Sequence, residues 1–483
     1  MKPSLLLSLL QSLSRAEQKR FALFVQSPFF NQNQRLIKLN AHLLSSLVHT
    51  KEMAISAEAL HKKLYPKQPF VAQHIYDLFS QLLRLLKQFL AQQQYEQDTT
   101  GQERYLLDDL MGRKAWPHFT RVHKRASKQY AQSKVQDAGH FYRGYLLAQR
   151  ADRFFGLQQK RKTNDDLNRA LGELDRFYLM RKLELSCELL NRQNIVQADA
   201  HSEMMPVLNA SLQDVENPYR AVPGIAIYHQ IYLTLYDSTN EHHYERLIAS
   251  LHEYSHLFSQ AEANQMYAYA QNYCVKQINQ GQSAYLQKLF DVYRSLIEKG
   301  LLLQEGQLHH GVYKNIVTVG LRLKQFEWVE AFLNTYRTAL EPSLRENAYT
   351  YNLAIFYYEQ RLYSHALKLL RRVEFTDVYY NLSARALLVK VYYELEDDDA
   401  LESVIAAYKV YMRRNKQLSG YQQKVNNNLL RFVKKLYKLR LKCLGMAKED
   451  RLSAIAQLQK QIKDTQQIAN INWLEKKVEE LAS

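Results

Sequence analysis

Across residues 350–407, apolar positions recur at helical spacing in two successive hairpins. Leu353, Ala354, Tyr357, Ala366, Leu370 and Val373 in the first are answered 34 residues later by Leu387, Leu388, Val391, Ala400, Val404 and Ala407. A fixed period of this length predicts stacked helix pairs, each too small to bury its apolar face alone. Nearer the start, residues 1–100 read as a separate unit of four helices. The first spans 15–26 and stops at Ser27-Pro28, because proline cannot continue a helix and restrains the residue before it. Asn31 or Asn33 can cap a second helix to about Val48, and a third runs from near Ser56 to Tyr65-Pro66. The fourth, from Phe70 to about Gln94, carries Leu78, Phe79, Leu82, Leu83, Leu85, Leu86, Phe89 and Leu90 around most of its circumference. Such a helix is expected to be the buried spine of its unit.

Downstream, the polar stretch Gln97–Gly101 and the run from Asn217-Pro218 to Pro223-Gly224 punctuate a chain that is otherwise helical in pattern. From Ile225 the pattern is hairpin after hairpin. Leu452, Ile455, Leu458 and Ile462 continue it, and Trp473, Leu474, Val478 and Leu481 predict a capping helix. The expected segments are therefore 1–100, 101–220, 221–450 and 451–483. The expected fold is all-α, an α-solenoid of stacked antiparallel helix hairpins with an N-terminal helical unit and a C-terminal cap.

Leu353-Ala354, Tyr357, Tyr363, Ala366 and Leu370 resemble the tetratricopeptide repeat (TPR), a helix–turn–helix unit of 34 residues. The second copy departs from that pattern, with Leu388 at a small position and Val391 in place of Tyr. Gly320, Phe326, Val329 and Leu333 look like a third copy, offset by about three residues. The specific resemblance covers roughly residues 315–410. The whole chain is similar to large bacterial helical-repeat proteins, a likeness that brings no activity with it. What the resemblance implies is a groove lined by first helices, here Asn352, Tyr358, Arg385 and Tyr392, that takes a protein or peptide.

Composition agrees with helices. The 483 residues contain only 14 Gly and 9 Pro, too few turn-formers for many strands. With 46% hydrophobic residues and a mean hydropathy of −0.44, the chain can build a continuous core and remain water-compatible. The 34 Tyr residues suit packing between helical layers, with each hydroxyl reaching solvent or a backbone carbonyl. Cys187, Cys274 and Cys443 lie far apart and read as buried thiols of a reducing compartment. Lys2 and the Leu-rich run after it resemble a signal peptide in part. Ser8 and Gln11 break that run, and it flows into Ser14-x-x-Glu17, a helix capping box, so a cytoplasmic location is expected. No stretch approaches the ~20 apolar residues of a membrane span.

Chemistry-bearing motifs are sparse. His252-Glu253-Tyr254-Ser255-His256 reads HExxH, which on a helix sets two imidazoles on one face for zinc and a carboxylate beside the bound water. A zinc metallopeptidase is accordingly one alternative. Against it, Ser259 stands where the longer motif needs glycine, and Leu247, Leu251, Tyr254 and Phe258 form a core stripe that leaves both histidines outward. The acidic run Glu394–Asp399 lacks the glycine and spacing of a calcium loop, and Asp399 with Glu402 reads as a helix cap. With no phosphate-cradling loop, nucleophile elbow or kinase set, neither a cofactor nor an enzymatic activity is expected.

Charge is the remaining signal. Lys+Arg number 65 against 48 Asp+Glu, a net +17. From Lys409 to Lys448 there is no acidic residue, and Lys424, Arg431, Lys435, Lys438 and Lys442 fall on one stripe, with Lys434 beside it. A second concentration from Arg113 to Lys162 sets thirteen basic residues against Asp137 and Asp152. Both could draw polyanions. Residues 56–94 can also be read as a helix-turn-helix in which Gln73 and His74 open the reading helix, so a nucleic-acid-binding regulator is a further alternative. The first expectation remains a non-enzymatic scaffold for a protein or peptide partner.

Overall fold

The computed structural model describes residues 5–49, 56–158, 164–196, 204–373, 378–443 and 445–482. Among them the regular elements are all helices, apart from two isolated bridges that pair Gln304 with Gln307 and Leu308 with Leu340. The chain divides into two compact units, Met1–Lys134 with Ala138–Tyr178, and Val135–Asp137 with Leu179–Ser483. None of the described helices is long and apolar enough to cross a membrane.

The first unit holds α1 (Leu5–Gln11), α2 (Arg15–Gln26), α3 (Gln34–His49), α4 (Ala57–Leu64), α5 (Ala72–Gln97), α6 (Thr99–Gly112), α7 (Trp116–Gln132) and α8 (Ala138–Leu157). At the start of α2 the capping box forms in full: Ser14 N donates to Glu17 Oε2 at 2.7 Å, and Glu17 N to Ser14 Oγ at 3.3 Å. The spine expected from the sequence is α5, which buries Ile75, Leu78, Phe79, Leu82, Leu85, Leu86 and Phe89 and packs against α1 to α4. The N-terminal run adds a fifth helix to the four expected, because α1 buries Leu6, Leu7 and Leu10 against that spine. Asp98 then caps α6, accepting from Gly101 N at 2.8 Å, and a smaller core gathers around Leu107, Phe119, Ala126 and Leu147.

Helix α9 (Asp166–Val196) begins in the first unit and ends in the second. The rest of the second unit comprises α10 (Met205–Gln213), α11 (Pro223–Tyr236), α12 (Glu241–Tyr254), α13 (Gln260–Asn279), α14 (Tyr285–Glu298), α15 (His310–Arg322), α16 (Phe326–Tyr336), α17 (Arg345–Glu359), α18 (Tyr363–Leu370), α19 (Val378–Glu394), α20 (Asp398–Arg414), α21 (Gly420–Cys443), α22 (Lys448–Lys463) and α23 (Ile471–Ala482). From α11 to α23 each helix packs on the next, and some also pack past an intervening partner: α11 on α13, α15 on α17, and α17 on α19.

The repeat of small residues has a direct structural counterpart. Ala354 of α17 and Ala366 of α18 are both fully buried where those helices meet. A Cβ on Gly320 would lie 2.5 Å from Val329 Cγ2, so α15 and α16 approach as closely as glycine permits. In the second copy the buried face is displaced by one residue. Leu401, Ile405, Tyr408 and Met412 face the core, while Ala400 and Val404 are half-buried and Ala407 is exposed. The larger side chains of the first set win the interior because they remove more apolar surface from water. The helix cap also moves, to Asp397, which accepts from Ala400 N at 3.1 Å, in place of Asp399.

Several tyrosine hydroxyls inside the second unit end on polar backbone or side-chain groups. Tyr313 donates to Leu333 O at 2.9 Å and Tyr380 to His310 O at 2.9 Å. The hydroxyl of Tyr408 lies 3.0 Å from Leu382 O and 2.8 Å from Asn426 Oδ1, joining α19, α20 and α21. A buried ring with a satisfied hydroxyl fixes helix register as well as spacing.

Candidate functional site

A cleft of ≈ 460 Å³ opens between α17, the turn before α18, α19 and α23. Two residues of α19, Lys390 and Glu394, are one helical turn apart and face it together. Tyr358 of α17 and Trp473 of α23 supply aromatic walls. The Lys390 ammonium sits 4.7 Å from the Tyr358 ring centroid and 6.0 Å from that of Trp473, within reach of cation–π attraction. No ion pair joins Lys390 to a carboxylate among the described residues. Burial lowers its pKa, and the charges of Glu359 and Glu394 only partly oppose that shift.

Glu394 is tied down on both oxygens. Tyr358 Oη and Trp473 Nε1 each donate to Oε1 at 3.2 Å, while Lys477 Nζ donates to Oε2 at 2.8 Å. Lys477 also reaches Glu480 Oε2 at 2.6 Å. Burial pulls the Lys477 pKa down, but its hydrogen bonds to Glu394 and Glu480 and their charges outweigh that and raise it. The two lysines therefore differ in kind: Lys477 is compensated by two carboxylates, whereas Lys390 is packed against ring faces with no ion pair among the described residues. Such a cleft can receive an anionic group at Lys390 and apolar surface on the flanking rings.

Of the four first-helix residues expected in a groove, Tyr358 alone lines this cleft. Asn352 is fully buried in α17, donating from Nδ2 to Ala348 O at 2.8 Å, which corrects its expected place on a groove. Tyr392 is also buried, and its hydroxyl accepts from Arg371 at 3.2 Å. Arg385 donates to Asn381 Oδ1 at 2.7 Å and lies 4.6 Å over the Tyr411 ring. Lys390, Glu394 and Lys477 escaped the sequence reading. The signal available was a Lys and a Glu at i and i+4 in the otherwise apolar run 386–394.

The HExxH residues do not converge. Helix α12 ends at Tyr254, and His256 falls in a 3₁₀ turn, Ser255–Leu257, so the two histidines are not an i, i+4 pair on one α-helix. The turn forms because Ser255 and Phe258 are drawn into the core. His252 Nε2 lies 3.4 Å from Ser295 Oγ, whereas Glu253 lines a different cleft with His229, His243 and Arg246. Among the described residues no group of three His, Cys, Asp or Glu side chains is placed to hold a metal ion.

The basic stripe is where the sequence put it. Lys424, Arg431, Lys434, Lys435, Lys438 and Lys442 are all exposed on α21, opposite buried Leu429, Phe432, Val433 and Leu436. Arg440 differs: it is largely buried and pairs with Asp398 at 2.7 Å, doing structural service between α20 and α21. The second basic concentration is partly neutralised, Arg143 by Glu103 at 2.7 Å and Arg150 by Asp108 at 2.6 Å. Its residues Lys160, Arg161 and Lys162 lie outside the described residues. In the expected helix-turn-helix, α4 and the start of α5, Gln73 is bonded to Asp77 at 2.8 Å and His74 stacks on His61 and Tyr65.

No protein-family model, no curated protein and no solved structure matches the chain.

Proposed function

We propose that the chain is a non-enzymatic scaffold, a tetratricopeptide-like array that docks a protein or peptide partner in the cleft of Tyr358, Lys390 and Trp473. The stacked-hairpin reading is supported by helices that pack past an intervening neighbour, as α15 on α17 and α17 on α19 do, and by the small residues at their closest approaches. The observation that carries the docking site is Lys390: an amine enclosed by aromatic walls, facing an open cleft, and paired with no carboxylate among the described residues. A carboxylate of an incoming peptide would complete its coordination, and the rings of Tyr358 and Trp473 would cover adjoining apolar surface.

Selection of a displayed random-peptide library against the protein tests this reading. Enriched peptides should carry a carboxylate and bind in the micromolar range. Lys390→Met should weaken them at least about tenfold, near 1.4 kcal/mol. Selection that enriches nothing, or peptides indifferent to Lys390→Met and Trp473→Ala, would overturn it.

A further inference from the structure

The exposed cations of α21 form a surface separate from the cleft. Lys424, Arg431, Lys435, Lys438 and Lys442 succeed one another at intervals of about 10, 6, 5 and 6 Å along the helix axis, and the file is about 27 Å long. Lys434 stands next to it, also exposed. None of the six makes an ion pair among the described residues, whereas cations elsewhere on the chain often do, such as Arg20 with Glu96 and Arg337 with Glu346. The groups that touch the stripe are largely neutral. Lys435 Nζ meets Gln461 Oε1 at 2.5 Å, and Arg431 lies 3.4 Å from Thr465 Oγ1. The charge of Glu402 is felt by Lys434 and Lys438, but that carboxylate is engaged by the Tyr437 hydroxyl. Six cations on this ridge thus face little opposing charge, chiefly that of Glu402 near Lys434 and Lys438.

We propose that this ridge is a docking surface for the phosphate backbone of duplex DNA. A file about 27 Å long, with Arg431, Lys435, Lys438 and Lys442 about 5–6 Å apart, can reach several phosphates of a duplex where its backbone crosses the helix. A single strand would call for stacking platforms between the cations, but Phe432 and Tyr437, the aromatic residues within the stripe, are buried. A membrane surface would call for apolar side chains interleaved with the charges. Between Lys424 and Lys442 the exposed large apolar residue is Leu441, at the far end. The same lack of a central apolar anchor disfavours an acidic protein partner.

The test is fluorescence anisotropy of the full chain with a labelled duplex of about 24 base pairs, about three times the span of the ridge. Micromolar binding at about 50 mM salt should weaken roughly a hundredfold by about 200 mM if four phosphates are engaged. The variant Arg431→Gln/Lys434→Gln/Lys435→Gln/Lys438→Gln should lose at least about thirtyfold in affinity and flatten the salt dependence. Lys434→Gln/Lys438→Gln, a milder pair, should reduce the salt slope by about two. A charge-matched control, Lys19→Gln/Lys38→Gln/Lys62→Gln/Lys87→Gln, removes exposed lysines of the first unit and should stay within about threefold of the parent. Four results would each overturn the proposal: no binding by the parent at low salt, a ridge variant that binds like the parent, an equal loss in the control, or tighter binding to single-stranded DNA, phosphatidylserine vesicles or polyglutamate than to the duplex.

Discussion

The ammonium of Lys477 on α23 lies 2.8 Å from the carboxylate of Glu394 on α19, a residue 83 positions earlier, with side-chain exposures of 11% and 10%. Two charges this enclosed are costly to strip of water, and they persist because each has further partners, Glu480 for the lysine and Tyr358 with Trp473 for the carboxylate. The pair holds the C-terminal helix against α19 and so forms one wall of the cleft.

Breaking the pair from one side leaves an enclosed charge short of its main partner. Lys477→Met should therefore destabilise the second unit by about 3 kcal/mol, and Glu394→Gln by somewhat less because its amide oxygen can still accept. The double variant should lose clearly less than the sum. Denaturant unfolding followed through tryptophan emission checks this, and strict additivity would count against a coupled pair.

Tyr408→Phe keeps the ring and removes one hydroxyl. Leu382 O and Asn426 Oδ1 would then share the loss of that donor in a dry interior. A destabilisation of about 1–3 kcal/mol is expected, with little change in helix content by circular dichroism. An unchanged midpoint would mean that the hydroxyl contributes nothing to the α19–α20–α21 junction.

Adding one methyl at Gly320 should be harmful despite the better helix propensity of alanine. The new Cβ would press on Val329, which is fully buried and branched at Cβ, and so has little freedom to give way. Gly320→Ala should lower stability by about 1–2 kcal/mol, overpacking outweighing a propensity gain of about 1 kcal/mol. In Gly320→Ala/Val329→Ala the combined loss should fall short of the two single losses added together, as seen in thermal melts.

Acid–base behaviour of Glu262 gives a prediction of opposite sign to the usual salt bridge. Burial pushes its pKa up to about 7, with the charges of Asp137 and Glu184 adding to the rise against a hydrogen bond donated by Tyr228 at 3.1 Å. Between the ordinary carboxyl value and about 7 the unfolded chain ionises first, so this residue withdraws stability as pH rises through that window. Glu262→Gln should thus stabilise by about 1–2 kcal/mol at pH near 8, allowing for partial solvent access, and by almost nothing near pH 4. Unfolding midpoints across that range decide it; a gain independent of pH would contradict the buried-acid account.

Local features were legible in the chain because they rest on short-range chemistry. The capping box at Ser14 and Glu17, the spine of α5 and the small residues Ala354 and Ala366 follow from spacing alone. What spacing missed depends on competition in three dimensions. At α20 a second apolar set, Leu401, Ile405 and Tyr408, stood one position from the set aligned by period, and bulk decided between them. At His256 the pull of Phe258 into the core ended the helix two residues early. The cleft was invisible because Lys390, Trp473 and Lys477 are brought together by tertiary packing, with no local pattern to announce it. The basic stripe of α21 was readable because it belongs to a single helix.

The interior tyrosines give the molecule an optical signature. Burial first, then neighbouring carboxylate charge, drives the pKa values of Tyr228 and Tyr358 far upward, and burial with the nearby Cys274 thiol pushes Tyr293 up to about 12. These phenols hold their protons well into the alkaline range while the helices stay packed. Tyrosinate absorbance in alkali should therefore include an abrupt stage that coincides with loss of the helical signal.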